Sequence, residues 1–413
     1  MPPLTPFDFR PRTRIVFGDG VVDRVGDLAR EHQARRVLLV TDPGIVAAGH
    51  ADHLRRVLEA AQLTVTVYDQ VRENPTTRDV ASCLKAAQTT RIDSIVGLGG
   101  GSSLDTAKGC NFLLTNGGKM SDYRGVGKAT KPMLPFIAVP TTAGTGSECQ
   151  SFALIADDQT HQKMACGDAK AAARVAVLDP TLTLTQPRNV TACTGLDAVA
   201  HAVETSVTLG RNPVSLLFAH GAFRLTHTSL PCVLDAPDDL QRRGRMQLGA
   251  AWAGIAIENS MLGAAHSAAN PLTAHHDIVH GQAVGMMLTH VVRYNAQDDA
   301  TRRAYVDLAQ RSGLCPQDRD DPVEDLIECL SVLLAAARLP ANLAECGVPS
   351  SAIDELAEEA AGQWTARFNP RPIGTEDFAR LYRDAMGEQE ATKRPSDEGT
   401  NGPSRAPSRL KRE

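Results

Sequence analysis

Residues 93–109 read DSIVGLGGGSSLDTAKG. A short apolar strand runs into three glycines, and a helical segment follows. Glycine lets a backbone approach a ligand closely, and a helix start offers free N–H groups and the positive end of a dipole. Ser102 and Ser103 can cap that helix or donate to a phosphate. The spacing is neither the G-x-G-x-x-G of a Rossmann fingerprint nor a loop ending in G-K-[ST]. Glycine runs after strands also make ordinary tight turns, so the reading depends on the segments around this one.

Those segments alternate. RRVLLVTDPGI gives a buried strand at Val37 to Val40 that ends in a turn with Pro43 and Gly44. Ala51 to Gln62 has helical apolar spacing, TVTVYD is strand-like, VASCLKAAQTT is helical, and FIAVPTT is a further strand ending at Pro140. VAVLDP, Val175 to Pro180, reads as the last strand. Strand and helix in alternation with short links predict a parallel, Rossmann-like sheet covered on both faces. After about Arg188 the β-branched runs give way to alanine-rich stretches at a period near 3.6, which predict an all-helical part. The expected organisation is an α/β dinucleotide-binding domain over 1–186 and a helical metal-binding domain over 187–387. The polar, Pro/Ser/Arg-rich segment 388–413 reads as a disordered tail.

Bulk properties narrow the function. A chain of 413 residues holds two or three domains by a prior of ~150 residues each. A net charge of -5, with its one basic run in the tail, argues against nucleic-acid binding. Nine scattered cysteines without a C-x-x-C pair suit reduced thiols in a cytoplasmic enzyme. The N-terminal stretch has no apolar signal core, and no apolar run is long enough to span a bilayer.

Two further clusters carry chemistry. PTTAGTGSE, Pro140 to Glu148, supplies hydroxyls and exposed N–H groups after a strand. In one parallel sheet, such a loop and the glycine loop converge at the strands' carboxyl ends, where ligands bind. Asp42 ends another strand. It reads either as a turn aspartate before Pro43 or as an acceptor for an adenosine ribose diol, which favours NAD over NADP by repelling a 2′-phosphate. Asp197 and His201, in GLDAVAHAVE, are four apart and so share one helix face. His266, His275, His276 and His280 follow within fifteen residues, and His280 stands at the start of an apolar helix. One carboxylate with imidazoles suits iron(II) or zinc. A metal beside a dinucleotide suggests hydride transfer.

With these motifs in place, the chain resembles the iron-containing (group III) alcohol dehydrogenase family, of dehydroquinate-synthase-like fold. The resemblance covers roughly residues 10 to 386. It is carried by VTDPG (40–44), ENP (73–75), GGGSSLDTAKG (99–109), PTTAGTGSE, VLDP (177–180), GLDAVAHAVE, HGQAVGMML (280–288) and FNPRP (368–372). The resemblance implies metal ligands at Asp197, His201, His266 and His280. It implies NAD contacts at Asp42, Asn74, Gly100, Gly101, Ser102, Asp105, Thr141, Thr142, Thr145 and Lys163. The segment around Lys163 departs from the family's spacing. The resemblance further implies Fe(II), with Zn(II) fitting the same donors, a small alcohol or aldehyde as substrate, and a homodimer or higher homo-oligomer. The family's second histidine, thought to relay the substrate proton, is replaced by Asn270, and His275 or His276 is the available substitute. NPLTAHHD also stands where the family has a glycine-containing loop. Rival readings are a zinc polyol dehydrogenase, a maleylacetate-reductase-like enzyme, a lyase that uses NAD catalytically, and a non-catalytic NAD-binding protein. A lyase would need a basic pocket, and Arg242, Arg243 and Arg245 do not lie at the metal motifs.

Overall fold

The computed structural model describes residues 6–160 and 162–387. The expected tail lies outside the described residues. The first half carries strands β1 (Arg14–Phe17), β2 (Arg36–Val40), β3 (Thr64–Tyr68), β4 (Ser94–Gly99), β5 (Gly125–Val126), β6 (Phe136–Pro140), β7 (Phe152–Ala156), β8 (Lys163–Gly167) and β9 (Val175–Leu178). Six form a parallel sheet in the order β1-β9-β6-β4-β2-β3. The other three make a small sheet, β5-β8-β7, with β7 and β8 antiparallel.

Helices α1 (Val25–Glu31), α2 (Pro43–Ala47), α3 (His50–Ala60), α4 (Thr77–Thr89) and α5 (Gly101–Asn116) link and cover the large sheet. Side chains alternate across a strand. Val37 and Leu39 therefore join Val96, Val139 and the α3 residues Leu54 and Leu58 in one core cluster. Leu38 and Val40 join Ile95, Ala138, Cys83 of α4 and Leu104 of α5 in another. Burial on both faces explains why β4 after Ser94, and all of β6, are apolar without alternation. Thr76 and Asp79 form a capping box at the start of α4, a contribution of about 1 kcal/mol.

The alternation reading misses four strands, β1, β5, β7 and β8. β1 is an edge strand, and β5, β8 and β7 form a small separate sheet. Their ladders rest on partners that a local apolar pattern does not reveal.

The second half is helical: α6 (Arg188–Thr205), α7 (Pro213–Asp235), α8 (Leu240–Ser260), α9 (Ala264–His276), α10 (His280–Asn295), α11 (Asp299–Arg311), α12 (Pro322–Ala337), α13 (Ile353–Gly362) and α14 (Thr375–Ala385). α6 is its axis, buried almost from end to end and packed against α7, α8 and α10. NPLTAHHD is not a loop here. α9 runs through Pro271 to His276 and stops at Asp277, whose φ is 53°. The start of α10 presses onto α6 so closely that a Cβ on Gly281 would fall 2.0 Å from the carbonyl oxygen of Cys193. That contact sets His280 beside the α6 residues one turn further on.

Candidate metal centre and nucleotide cleft

Three neighbouring strands deliver the nucleotide residues to one edge. Asp42 follows β2, Gly100 and Gly101 follow β4, and Thr141 and Thr142 follow β6. The chain runs from β2 outward to β3 and then back across to β4. The crevice between β2 and β4 is thus a topological switch point, where sheets of this kind bind ligands. The loops are tied together. Thr141 N–H donates to the Gly99 carbonyl at 3.0 Å. Ser103 Oγ donates to Asp42 Oδ2 at 3.1 Å. Asn74 N–H donates to Ser102 Oγ at 3.3 Å. Neither serine caps α5, whose N-cap is Gly100 with no side-chain bond. Asp42 serves as the N-cap of α2, accepting from Gly44 and Ile45 through Oδ1. The two readings of Asp42 are therefore compatible: one oxygen holds the turn, and the other faces the glycine loop.

Asp105 is turned into the protein. It accepts from Ser147 Oγ at 2.7 Å and from Leu154 N–H at 3.1 Å. Lys108 Nζ lies 3.7 Å away and donates to Ser147 and to the Phe152 carbonyl. Burial raises the Asp105 carboxyl and lowers the Lys108 ammonium, and each opposes the shift of the other. This pair joins α5 to the threonine loop and to β7. Thr145 also belongs to that loop, its carbonyl accepting from Gln150 Nε2 at 2.7 Å. Lys163, on β8, is lowered by burial, with Asp105, Asp197 and Glu73 pulling the other way. Lys163 is thus within electrostatic reach of Asp105 on α5 and of Asp197 on α6.

In that cluster Asp197 Oδ1 lies 3.3 Å from His201 Nε2 and 3.3 Å from His266 Nε2. One donor atom from each of the three residues falls within 4.8 Å of the others, and all three residues are buried. The His201 and His266 rings stack at 4.8 Å. The His280 ring is 5.5 Å from that of His266, and its Nδ1 is buried with no hydrogen-bond partner among the described residues. Burial would raise Asp197, but His201 and His266 outweigh it and hold its carboxyl far below the usual range. Burial lowers His201 to about 4 and lowers His280 strongly, with Lys163 adding to the latter. Burial would lower His266 too, yet Glu204 and Asp197 hold it up at about 9.

These residues fit a divalent cation. Bonds of ~2.1 Å to a tetrahedral ion put ligand atoms about 3.4 Å apart, close to the spacing around Asp197. A carboxylate among imidazoles in a buried site is a donor set for iron(II) or zinc.

Other expected residues are not brought to this cluster. His275 is exposed and pairs with Glu359 at 2.9 Å. His276 is ten residues beyond His266 on α9, about 15 Å along the axis. Asn270 Nδ2 donates to Gln363 Oε1 at 3.1 Å, so an amide pair occupies the relay position. Glu204 is the residue that sequence reasoning passes over. It is 3% exposed and accepts from His266 Nδ1 at 2.5 Å. Its one signal is its place seven residues after Asp197, on the same stripe of α6.

Two family models match. That described as iron-containing alcohol dehydrogenase covers residues 11–180. That described as the C-terminal part of the Fe-containing alcohol dehydrogenase family covers 191–386. Alcohol dehydrogenase 4 of Schizosaccharomyces pombe is 33% identical over 371 residues, 90% of this chain and 87% of the relative. The NAD-dependent methanol dehydrogenase of Bacillus methanolicus is 31% identical, over 90% of this chain and 97% of its own. The crystal structure of a 1,3-propanediol oxidoreductase superposes with a TM-score of 0.89 at 31% identity, covering 92% of this chain and all of the other.

Proposed function

Since the chain belongs to the iron-containing alcohol dehydrogenase family, we propose that Asp197, His201, His266 and His280 hold its metal and that the loops after β2, β4 and β6 hold NAD. Membership makes the protein an NAD-linked alcohol dehydrogenase, passing hydride between a small alcohol or aldehyde and the nicotinamide. The ligand assignment rests above all on Asp197 Oδ1, set 3.3 Å from two imidazole nitrogens in a buried site. Bound there, Fe(II) supplies Lewis acidity toward the substrate oxygen.

The chain's own groups do the rest. The start of α5, free of a side-chain cap, would take the pyrophosphate. Asp42 takes the adenosine ribose diol and disfavours a 2′-phosphate. Lys163, within electrostatic reach of both Asp105 and Asp197, would couple the charge of the two sites. Asn270 carries an amide and moves no proton, so the substrate proton leaves by another route. Orientation of cofactor against substrate is the main service of the two loops.

Two finer readings belong here. Nine free cysteines support a reducing, cytoplasmic setting, and no described helix is long and apolar enough to cross a membrane. The edge strand β1, with Phe17 45% exposed, supports pairing of two copies as a homodimer. We divide the chain at residue 186, in the link between β9 and α6.

The test is an anaerobic preparation assayed for Fe and Zn per chain, followed by NADH absorbance with a panel of small alcohols and aldehydes. Activity restored by Fe(II) after chelation and abolished in His266→Ala is the expected result. Bound metal with no net NADH change would overturn the assignment in favour of internal redox recycling.

A further inference from the structure

α6 carries Asp197, His201 and Glu204 at i, i+4 and i+7, one stripe down a single helix. The two ends of that stripe hold the same imidazole. Asp197 Oδ1 lies 3.3 Å from His266 Nε2, and Glu204 Oε2 lies 2.5 Å from His266 Nδ1. The second Glu204 oxygen accepts from Ala265 N–H at 2.7 Å, at the start of the helix that bears His266. The first N–H groups of a helix have no partner within it, so this bond anchors the backbone as well as the ring. Gly263 keeps the approach clear, since a Cβ there would sit 3.2 Å from the same oxygen.

We propose that Glu204 is a positioning residue for the metal: its carboxylate fixes His266 with the proton on Nδ1 and the lone pair of Nε2 directed at Asp197 and His201. The inference rests on the ligand assignment above. A carboxylate only accepts, so the ring nitrogen facing it must be the donor. The other nitrogen is then the one open to a cation. Both oxygens are engaged, so only a group with two acceptor oxygens serves both Nδ1–H and Ala265 N–H. A glutamine has one. Either it turns its NH2 to Nδ1, driving the ring proton to Nε2 and closing the donor to the cation, or it turns its NH2 against Ala265 N–H and loosens the start of α9.

The experiment uses the full-length protein stripped of metal and titrated with Zn(II) against a chromophoric chelator. Wild type, Glu204→Gln, Glu204→Asp and Asp197→Ala are compared, with NADH binding as the check on folding. Glu204→Gln should bind Zn(II) about 10- to 100-fold more weakly. Glu204→Asp keeps two acceptor oxygens one methylene further back and should fall between it and wild type. NADH affinity should not change in either. A merely structural role would leave the Zn(II) affinity of the folded variants where it was, so a Glu204→Gln value within twofold of wild type overturns the proposal. If Glu204→Gln does not fold, Glu204→Asp decides by the same criterion. A wild type that takes up no Zn(II), or an Asp197→Ala variant that binds it as tightly as wild type, overturns the ligand assignment itself. Loss in Asp197→Ala with no change in Glu204→Gln overturns the role of Glu204 alone.

Discussion

Gly146 and Gly254 meet backbone against backbone. A Cβ on Gly254 would fall 2.3 Å from the Gly146 carbonyl oxygen, and one on Gly146 would fall 2.6 Å from the carbonyl oxygen of Ala250. α8 is thereby seated on the threonine loop. Gln247 Nε2 donates to the Pro140 carbonyl at 3.0 Å on one side, and Glu258 accepts from Ser151 N–H and Oγ on the other. The helical half thus holds in place a loop of the α/β half.

Gly254→Ala should show what that seam does. The added methyl has to push Gly146 aside, and overpacking of this kind costs about 1–3 kcal/mol. If about half of that strain is expressed at the loop, NADH affinity falls about two- to tenfold. Equilibrium NADH titration alongside a thermal melt checks this. Lost stability with unchanged NADH affinity would mean that the loop does not hold the cofactor.

Asp42→Asn separates two duties of one side chain. Asparagine caps a helix as well as aspartate does, so α2 should keep its start and the melting temperature should hold. The negative charge is gone, so the ratio of NADP to NAD turnover should rise. Paired kcat/KM measurements read it. No change would place the 2′-hydroxyl elsewhere.

Glu148, 2% exposed, is raised by burial to about 7. Its folded value lies above the unfolded one of 4.5. The stability tied to its proton is therefore fully present below pH 4.5 and is lost as pH rises through 7. Glu148→Gln stays neutral throughout. It should match wild type at pH 4.5 and exceed it above pH 7, by of order 3 kcal/mol at most. Denaturant melts at the two pH values measure the difference, and a gap independent of pH would count against it.

Removing the metal should destabilise the wild type. An ion at a hundred times its dissociation constant contributes about 2.7 kcal/mol, which corresponds to roughly 5–10 °C for a domain of this size. The shift should vanish in His266→Ala. In the metal-free protein the sign for His266 runs with its raised value. Its protonated form adds stability fully below pH 6.5, and that is lost as pH climbs through about 9. Calorimetry with and without chelator across this interval tests both parts.

What the sequence discloses follows from how each feature is held. β4 and β6 are buried on both faces, so their composition alone marks them. β7 and β8 depend on each other and on β5, and a half-exposed ladder of this kind leaves a weak local trace. Asp197 and His201 declare themselves through a spacing of four on one helix. Glu204 does not, because a glutamate near a helix end looks the same whether it faces water or a ring on another helix. His275 and His276 stand out by residue type, but α9 carries them away from the cluster that His266 joins. Residue identity near a motif is legible, whereas the direction in which a helix points it is not.

The chain has two tryptophans. Trp252 lies on α8, edge-on to Phe218. Trp364 belongs to the helical half, yet its ring lies 6.0 Å from Phe152, the first residue of β7. That pairing gives the molecule a built-in optical gauge. Indole emits where reduced nicotinamide absorbs, and this indole reaches across from one half to the other. With Trp252→Phe a single emitter remains, and its quenching would report NADH arriving, with no label attached.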